Sequence, residues 1–162
     1  MKKKPGVFLG KYGKTGGICY ICKMIFYAYL YMNIEELRDC CLAIKNVEEC
    51  TPFGEDTMVY KIMNKMFAFF PLNPKDNEHF AVLKCAPEKT LELREKYRGI
   101  TKGYYAGDNL MWNSVYIQKD VPDKLIIELI NHSVEEVVKK FPKKKMDEYR
   151  KLIETDGSHN IV

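Results

Sequence analysis

The sequence predicts an α+β domain, and two kinds of pattern support this fold class. Apolar residues recur every three to four positions in one stretch near the start and in another near the end, as in amphipathic helices. Between them lie short runs of aromatic and β-branched residues separated by Pro, Gly and Asn, a pattern typical of strands and turns. At 162 residues the chain fits one domain with extra ends, long enough to bury a core without disulfides or metal.

Residues 1–31 differ in composition from the rest of the chain. They carry six lysines and no acidic residue, which leaves 20 of the 26 basic residues against all 22 acidic residues in the remainder. The body is therefore close to neutral, unlike a strongly basic nucleic-acid-binding domain. We expect residues 1–31 to be an N-terminal extension, either disordered or the product of an upstream start. The apolar run at 18–31 is shorter than the roughly 20 residues of a membrane span, so no membrane partner is expected.

Six cysteines show neither the spacing of a disulfide framework nor that of a zinc site. Cys19 and Cys22 form a Cys-x-x-Cys pair, but no second pair lies nearby. The Gly13-Lys14-Thr15 triplet lacks the first glycine and the preceding strand of a phosphate-binding loop. We therefore expect reduced thiols, a cytoplasmic location, and neither a metal nor a cofactor.

A first helix is expected over residues 33–45. Asn33 can cap its first turn, and Glu36, three residues later, completes a capping-box pattern. Pro52 and Gly54 mark the loop that follows. The predicted core positions are Ile34, Leu37, Cys41 and Ile44.

Strands over residues 57–63 and 66–72 predict a β-hairpin with Asn64-Lys65 as its turn. Pro71 and Pro74 end the second strand, and after a polar loop residues 80–85 form a third.

A second helix is expected over residues 87–97, because Pro87 suits the first helical position and Gly99 suits the end. Its core stripe is predicted to be Leu91 and Tyr97, with help from Leu93 or the stem of Arg94. A Gly-rich loop and a fourth strand, residues 111–117, follow.

The longest helix is expected over residues 123–141, where Pro142 ends it. A short basic helix over 143–153 comes next, and we expect a flexible tail over 154–162. The predicted core stripe of the long helix is Ile126, Ile130, Val134, Val137 and Phe141, broadened by Leu125, Leu129 and Val138.

Trp112, the chain's only tryptophan, lies in the fourth predicted strand. If Val115 and Ile117 face the helices, alternation along the strand turns Trp112 to the opposite face of the sheet. Two interpretations follow. Trp112 belongs to an open aromatic face near lysines that stacks on or binds a partner, or it is covered by the loop 104–111.

No residues in the sequence form a recognisable catalytic set. The histidines at 79, 132 and 159 have no nucleophile fixed beside them, and sequence-adjacent carboxylates diverge around a helix. We therefore predict a protein that is not an enzyme. Candidate phosphate contacts are Lys61, Lys65, Lys84 and Lys102, whereas the lysines at 139–145 also suit the C-terminal end of a helix.

Taken in order, a series of short motifs from residue 32 to about 149 resembles the MmcQ/YjbR family. Each motif alone is weak, but their order along the chain is specific. The motifs are Met-Asn-Ile-Glu-Glu-Leu-Arg from residue 32, Lys-Met-Phe-Ala from 65, Leu-Lys-Cys from 83 with Pro-Glu at 87 and Leu-Arg at 93, Trp-Asn-Ser-Val from 112, Val-Pro-Asp from 121, and Leu-Ile-x-x-Ser from 129.

This resemblance implies a CyaY-like, or frataxin-like, fold over residues 32–153. In such a fold an antiparallel sheet of about four to five strands is packed on one face by the N-terminal and C-terminal helices. The resemblance also implies a DNA-binding role. This sequence departs from the family at residues 106–111, where members commonly carry His-Met-Asn-Lys-Lys-His and this chain has Ala-Gly-Asp-Asn-Leu-Met. Two lysines and two histidines are lost there.

We predict a small, non-enzymatic binding protein with duplex DNA as its ligand. The alternative is a protein-interaction module that docks a protein partner on the open sheet face around Trp112. A more distant alternative, suggested by the likeness to frataxin, is metal binding by sparse acidic residues of the first helix, Glu35, Glu36 and Asp39. The predicted DNA or partner contacts are Lys61, Lys65, Lys84, Asn109, Trp112 and Asn113.

Overall fold

The computed structural model describes residues 31–74, 76–105 and 110–155. Residues 1–30 of the N-terminal extension, the loop residues 106–109 with Asn109 among them, and residues 156–162 of the predicted tail lie outside these ranges. The helices and strands are, in chain order, α1 (Ile34–Leu42), β1 (Val47–Cys50), β2 (Thr57–Ile62), β3 (Lys65–Pro71), β4 (Phe80–Lys84), α2 (Pro87–Lys96), β5 (Ile100–Lys102), β6 (Trp112–Tyr116), α3 (Asp123–Val138) and α4 (Lys143–Thr155).

One sheet contains all six of these strands, in the order β1-β2-β3-β4-β6-β5, and every neighbouring pair is antiparallel. The predicted α+β class and antiparallel sheet are confirmed, but the expected count of four to five strands is too low. The strands that were not among the four located in the sequence, β1 and β5, are the edges of the sheet. β1 carries the polar pair Glu48-Glu49 and β5 has only three residues, so neither shows the apolar run by which strands are recognised.

Helices cover one face of the sheet and bury the main core there. α3 packs on β3 and β4, while α1 contacts β1 and α3. α1 begins with the predicted capping box between Asn33 and Glu36. Every predicted core position of the long helix lies in this core or packs against it. The helix itself ends at Val138, however, and Phe141 reaches the core from the turn that follows.

The predicted core stripe of α2 is partly wrong. Leu91 is 59% exposed, whereas Thr90 and Leu93 are buried and Tyr97 packs against the core. Thr90, Leu93 and Tyr97 are spaced three and four apart and share one face, and Leu91 is turned about 100° away from Thr90.

The hairpin of β2 and β3 turns one residue earlier than predicted. Ile62 pairs with Lys65, so Met63 and Asn64 form the turn, and both have the positive φ of a type I′ turn. Further along, Lys61 pairs with Met66 but Tyr60 pairs with Ala68. The extra residue between them, at position 67, is a β-bulge.

The hydroxyl of Ser133 on α3 bridges β3 and β4 just beyond their last paired residues, Ala68 and Leu83. It accepts a hydrogen bond from the backbone N–H of Lys84, at 2.8 Å, and donates one to the carbonyl of Phe67. Ser133 is fully buried, so these two hydrogen bonds hold the end of β4 against α3. Within the described ranges, no helix has the length and apolar character needed to cross a membrane.

Candidate functional site

The sheet's second face, which no described helix covers, carries its own apolar cluster. Val59, Phe69, Phe80 and Val82 are buried there, and Trp112 packs against them. The alternation predicted for the fourth strand is confirmed, since Val115 and Ile117 belong to the helix-side core and Trp112 to the opposite face. We call this second surface the open face.

Trp112 lies at one end of the open face in direct contact with a lysine. Lys84 and Trp112 are paired neighbours on β4 and β6, and the Lys84 Nζ lies 5.2 Å from the centre of the indole ring. This is the distance of a cation–π interaction. The Phe69 ring supports the indole from the other direction, with the ring centres 6.0 Å apart.

A groove of about 570 Å³ adjoins this pair. Its volume falls within the range of pockets that hold small organic groups. Two of its aromatic side chains are largely in solvent, since Phe53 is 67% exposed and Tyr105 is 80% exposed. Trp112 is only partly covered, so its ring can form part of a contact surface. The groove is lined by Phe53, Thr57, Met66, Phe69, Tyr105 and Trp112.

Positive charge gathers at this same end of the sheet. Burial lowers the pKa of Lys84, and the nearby ammonium groups of Lys140 and Lys65 lower it further. Glu136 acts in the opposite direction, but its carboxylate is already bound to the Lys139 ammonium at 2.6 Å. Among the described residues, Lys65, Lys84 and Lys140 form no ion pair.

Of the other predicted contacts, Lys61 lies on β2 opposite Met66, a residue that lines the groove. The structure therefore places Lys61, Lys65, Lys84 and Trp112 at one end of the sheet, as a hairpin followed by β4 and β6 requires. Lys65 starts from the helix-covered side, because it pairs with Ile62 of the main core. We call these three lysines and Lys140 the lysine cluster.

The opposite end of the open face has the opposite charge. A second depression, about 270 Å³ in volume, lies there beside Phe80 and Tyr116. Three carboxylates, those of Asp56, Asp76 and Glu78, line it, and the Glu78 carboxylate is paired with the Lys119 ammonium at 2.9 Å. The open face is thus an aromatic surface with a basic end and an acidic end.

Asn113 does not lie on this surface, which corrects its assignment to the site. It is 2% exposed and points toward the helices. The Arg94 Nε donates to its Oδ1 at 2.8 Å, and its Nδ2 donates to the Thr90 Oγ1 at 3.0 Å. Because Arg94 also donates to the carbonyl of Trp112, at 3.0 Å, this network positions the start of β6 from behind.

Gly103 brings the end of β5 against the same backbone. Its N–H donates to the carbonyl of Trp112 at 3.0 Å. A Cβ at this position would lie 2.8 Å from the Trp112 Cβ, which is closer than real side chains approach. Gly103, Arg94 and Asn113 therefore all fix the place of Trp112. No local sequence pattern identifies Arg94 in this role.

One of the acidic residues proposed for metal binding, Glu36, has a structural role in the first helix. Glu36 accepts a hydrogen bond from the N–H of Asn33, at 3.0 Å, within the capping box. No three His, Cys, Asp or Glu side chains converge as a metal site in the parts of the chain that the structure describes.

The described cysteines, at positions 40, 41, 50 and 85, are free thiols. Burial raises the pKa of Cys41 to about 12, so it carries no thiolate at neutral pH. The ring of His132 accepts a hydrogen bond from the N–H of Ala86, at 3.3 Å, and burial lowers its pKa. Cys19 and Cys22 lie outside the described residues.

Together these features define a class of small α+β domain whose antiparallel sheet is helix-covered on one face and open on the other. The family model described as YjbR matches residues 42–135, more than half of the chain. The chain belongs to the YjbR family.

Two curated relatives come from Escherichia coli. The uncharacterized protein YbdF of strain O157:H7 is 32% identical over 99 residues, which cover 61% of this chain and 79% of YbdF. The uncharacterized protein YjbR of strain K12 is 25% identical over 122 residues, covering 75% of this chain and 98% of YjbR.

Solved structures show the same fold. The Deinococcus radiodurans protein DR2400, a DUF419 domain, superposes with a TM-score of 0.65 at 29% identity and covers 72% of this chain and 87% of its own. A Pseudomonas syringae protein superposes with a TM-score of 0.58 at 22% identity, covering 65% of this chain and 99% of its own, a likeness of fold alone.

Proposed function

We propose that this protein is a binding protein rather than an enzyme, and that its open face holds nucleic acid, with DNA as the ligand. The observation that carries the proposal is the Lys84 ammonium 5.2 Å from the Trp112 ring, at the edge of the aromatic groove. Lysines take up phosphate charge and aromatic rings take up base faces, and here the two lie side by side.

Electrostatics supports the same ligand. Lys84 is held in a partly buried position although Lys65 and Lys140 oppose its charge, and Glu136 is already bound to Lys139. An anion bound between these ammonium groups would relieve their repulsion, because an opposite charge nearby favours the protonated form of a lysine. Phosphate is the anion that a nucleic acid supplies. The DNA-binding role that the family resemblance implies therefore has a physical basis in this surface, although the lysines of residues 106–111 are missing.

Titration of the full chain with DNA, followed by fluorescence, tests this proposal. Trp112 is the only tryptophan, so the signal reports on the proposed surface alone. We expect the emission to change on binding and the affinity to fall with salt, by about 0.7 to 0.9 units of log–log slope for each phosphate neutralised. Absence of binding to single-stranded and duplex DNA at micromolar protein and near-physiological salt would contradict the proposal.

A protein partner is the second candidate, and the acidic end of the open face favours it. The carboxylates of Asp56 and Asp76 repel phosphate but suit a basic partner segment, while the exposed Phe53 offers an apolar contact. Affinity capture with and without nuclease separates the two candidates. A partner that survives nuclease treatment and is lost from Phe53→Ala supports protein docking, and a partner list unaffected by that change contradicts it.

A further inference from the structure

We infer that the nucleic acid held by the open face is a single strand rather than a duplex, an inference that rests on the proposed function. The width of the sheet is the first reason. Neighbouring strands lie about 4.8 Å apart, so six strands span roughly 24 Å, whereas the major groove of DNA is about 12 Å wide. The face as a whole does not fit into a duplex groove.

The hairpin of β2 and β3 cannot enter the major groove by itself either. Two strands alone would fit the major groove. Here, however, Val47 of β1 pairs with Ile62 right beside the turn, so β1 flanks the hairpin up to its end. On the other side, the Lys145 Nζ of α4 donates to the carbonyl of Met63 in the turn, at 2.6 Å. The turn is bordered by other elements and does not project as a separate ribbon.

The aromatic groove is the second reason. Phe53 and Tyr105 present most of their ring area to solvent, and Trp112 stands partly open beside them. Rings of this kind bind nucleic acid by stacking on base faces. In a duplex each base face is covered by the next base pair, so only an unpaired strand can use these rings.

The uneven charge of the face is the third reason. The lysine cluster lies at the end where β4 stops, and the carboxylates of Asp56 and Asp76 lie at the other end, beside Glu78, which is paired with Lys119. A stiff duplex placed along the face would bring phosphates to the carboxylates. A flexible single strand can place its phosphates on the lysines and its bases in the adjoining groove, and then turn away from the surface where Thr57 and Tyr105 border the acidic depression.

The test compares three ligands with the full chain at one salt concentration. They are a DNA strand of about 12 nucleotides, a length within the usual site sizes, the duplex of the same sequence, and an abasic strand of the same length that lacks every base. We expect the intact strand to bind about tenfold more tightly than the duplex. Because the abasic strand keeps every phosphate, its affinity isolates the contribution of the bases, and we expect it also to bind about tenfold more weakly.

Phe53→Ala provides the matched protein change. We expect it to weaken binding of the intact strand about fivefold and to leave binding of the abasic strand unchanged, since the lost ring has no base to stack on. Leu91→Ala is the control, because Leu91 is similarly exposed but lies on α2.

A duplex that binds as tightly as the strand, with no effect of Phe53→Ala, would overturn the inference and leave DNA binding standing. Failure of all three ligands to bind would overturn the proposed function as well.

Discussion

The two faces of the sheet use their polar residues in opposite ways. On the helix-covered face, Asn113 binds Arg94 and Thr90, and Ser133 bridges β3 and β4. On the open face, Lys84 has neighbouring positive charges and an aromatic ring but no ion pair among the described residues. Polar groups that are fully satisfied stabilise a fold, whereas charges left without partners are available to a ligand.

This contrast separates two roles within the motif Trp-Asn-Ser-Val at residue 112. Trp112 and Ser114 point to the open face and Asn113 and Val115 to the helices, because side chains alternate along a strand. Asn113 therefore maintains the architecture, and Trp112 is the member of the motif that can meet a ligand.

The largest effect on stability is expected from Asn113→Ala, a change on the helix-covered face. The change removes the Asn113 acceptor of the Arg94 Nε and the Asn113 donor to the buried Thr90 hydroxyl, so we expect the free energy of unfolding to fall by about 3 kcal/mol. Urea denaturation followed by circular dichroism measures it. Asn131→Ala, at an exposed position of α3, is the control and should change stability by less than about 0.5 kcal/mol. An equally small effect of Asn113→Ala would show that its network is not structural.

Ser133→Ala should have the next largest effect. Without the hydroxyl, the N–H of Lys84 and the carbonyl of Phe67 lose their partner, so we expect a loss of about 2 kcal/mol. The same denaturation experiment applies. Thr101→Ala removes a hydroxyl from an exposed position of the sheet and serves as the matched control. If both variants unfold at the same urea concentration, the proposed bridge contributes nothing.

Lys84→Ala tests the open face. Here we expect a small effect on stability and a larger effect on DNA affinity. We expect stability to change by less than about 0.5 kcal/mol, since the variant removes a partly buried charge that Lys65 and Lys140 oppose. DNA affinity should fall about tenfold, and the salt slope should decrease by about one unit. Lys124→Ala on α3, whose side chain is 90% exposed, is the control for loss of a lysine. A Lys84→Ala variant that is unstable yet binds normally would invert our assignment of the two faces.

The smallest effect is a pH dependence on the helix-covered face. Burial lowers the pKa of His132, with the nearby charge of Lys89 adding to the shift, so the unfolded chain takes up a proton more readily than the folded one. The stabilising contribution of neutral His132 is therefore complete above its ordinary pKa of about 6.5 and is lost as the pH falls below it. Compared with the wild type, His132→Gln should lose less stability between pH 7.5 and 5. Identical pH profiles would contradict a partly buried, neutral His132.

Local patterns in the sequence predicted much of the fold. Three patterns predicted the structure correctly, because each depends on residues close together in the chain. They are the capping box at Asn33, the apolar stripe of α3 and the alternation around Trp112. The edge strands β1 and β5 were missed because one is polar and the other very short. The phase of α2 was misjudged because a mostly polar helix gives few apolar positions from which to choose a face.

The candidate site was less accessible from the sequence. Lysines 61, 65 and 84 were recognised, but the contact of Lys84 with Trp112 depends on the pairing of β4 with β6, across an intervening helix and strand. Pairing between distant strands is not encoded in local spacing. The same limit applies to Phe53, a loop residue whose place in the groove comes from tertiary structure. It also applies to Lys140, which follows the end of α3 and lies near Lys84 only in the folded chain.

The most direct test of the open face is an NMR titration of the ¹⁵N-labelled chain with whichever form of DNA binds more tightly. Trp112 provides a single indole Nε1–H resonance, which reports on this face without overlap from another tryptophan. We predict that this resonance shifts on binding, together with the amide signals of Met66 and Lys84 beside the groove. An indole resonance that stays in place while the shifts are confined to the helices would contradict the assignment of ligand binding to the open face.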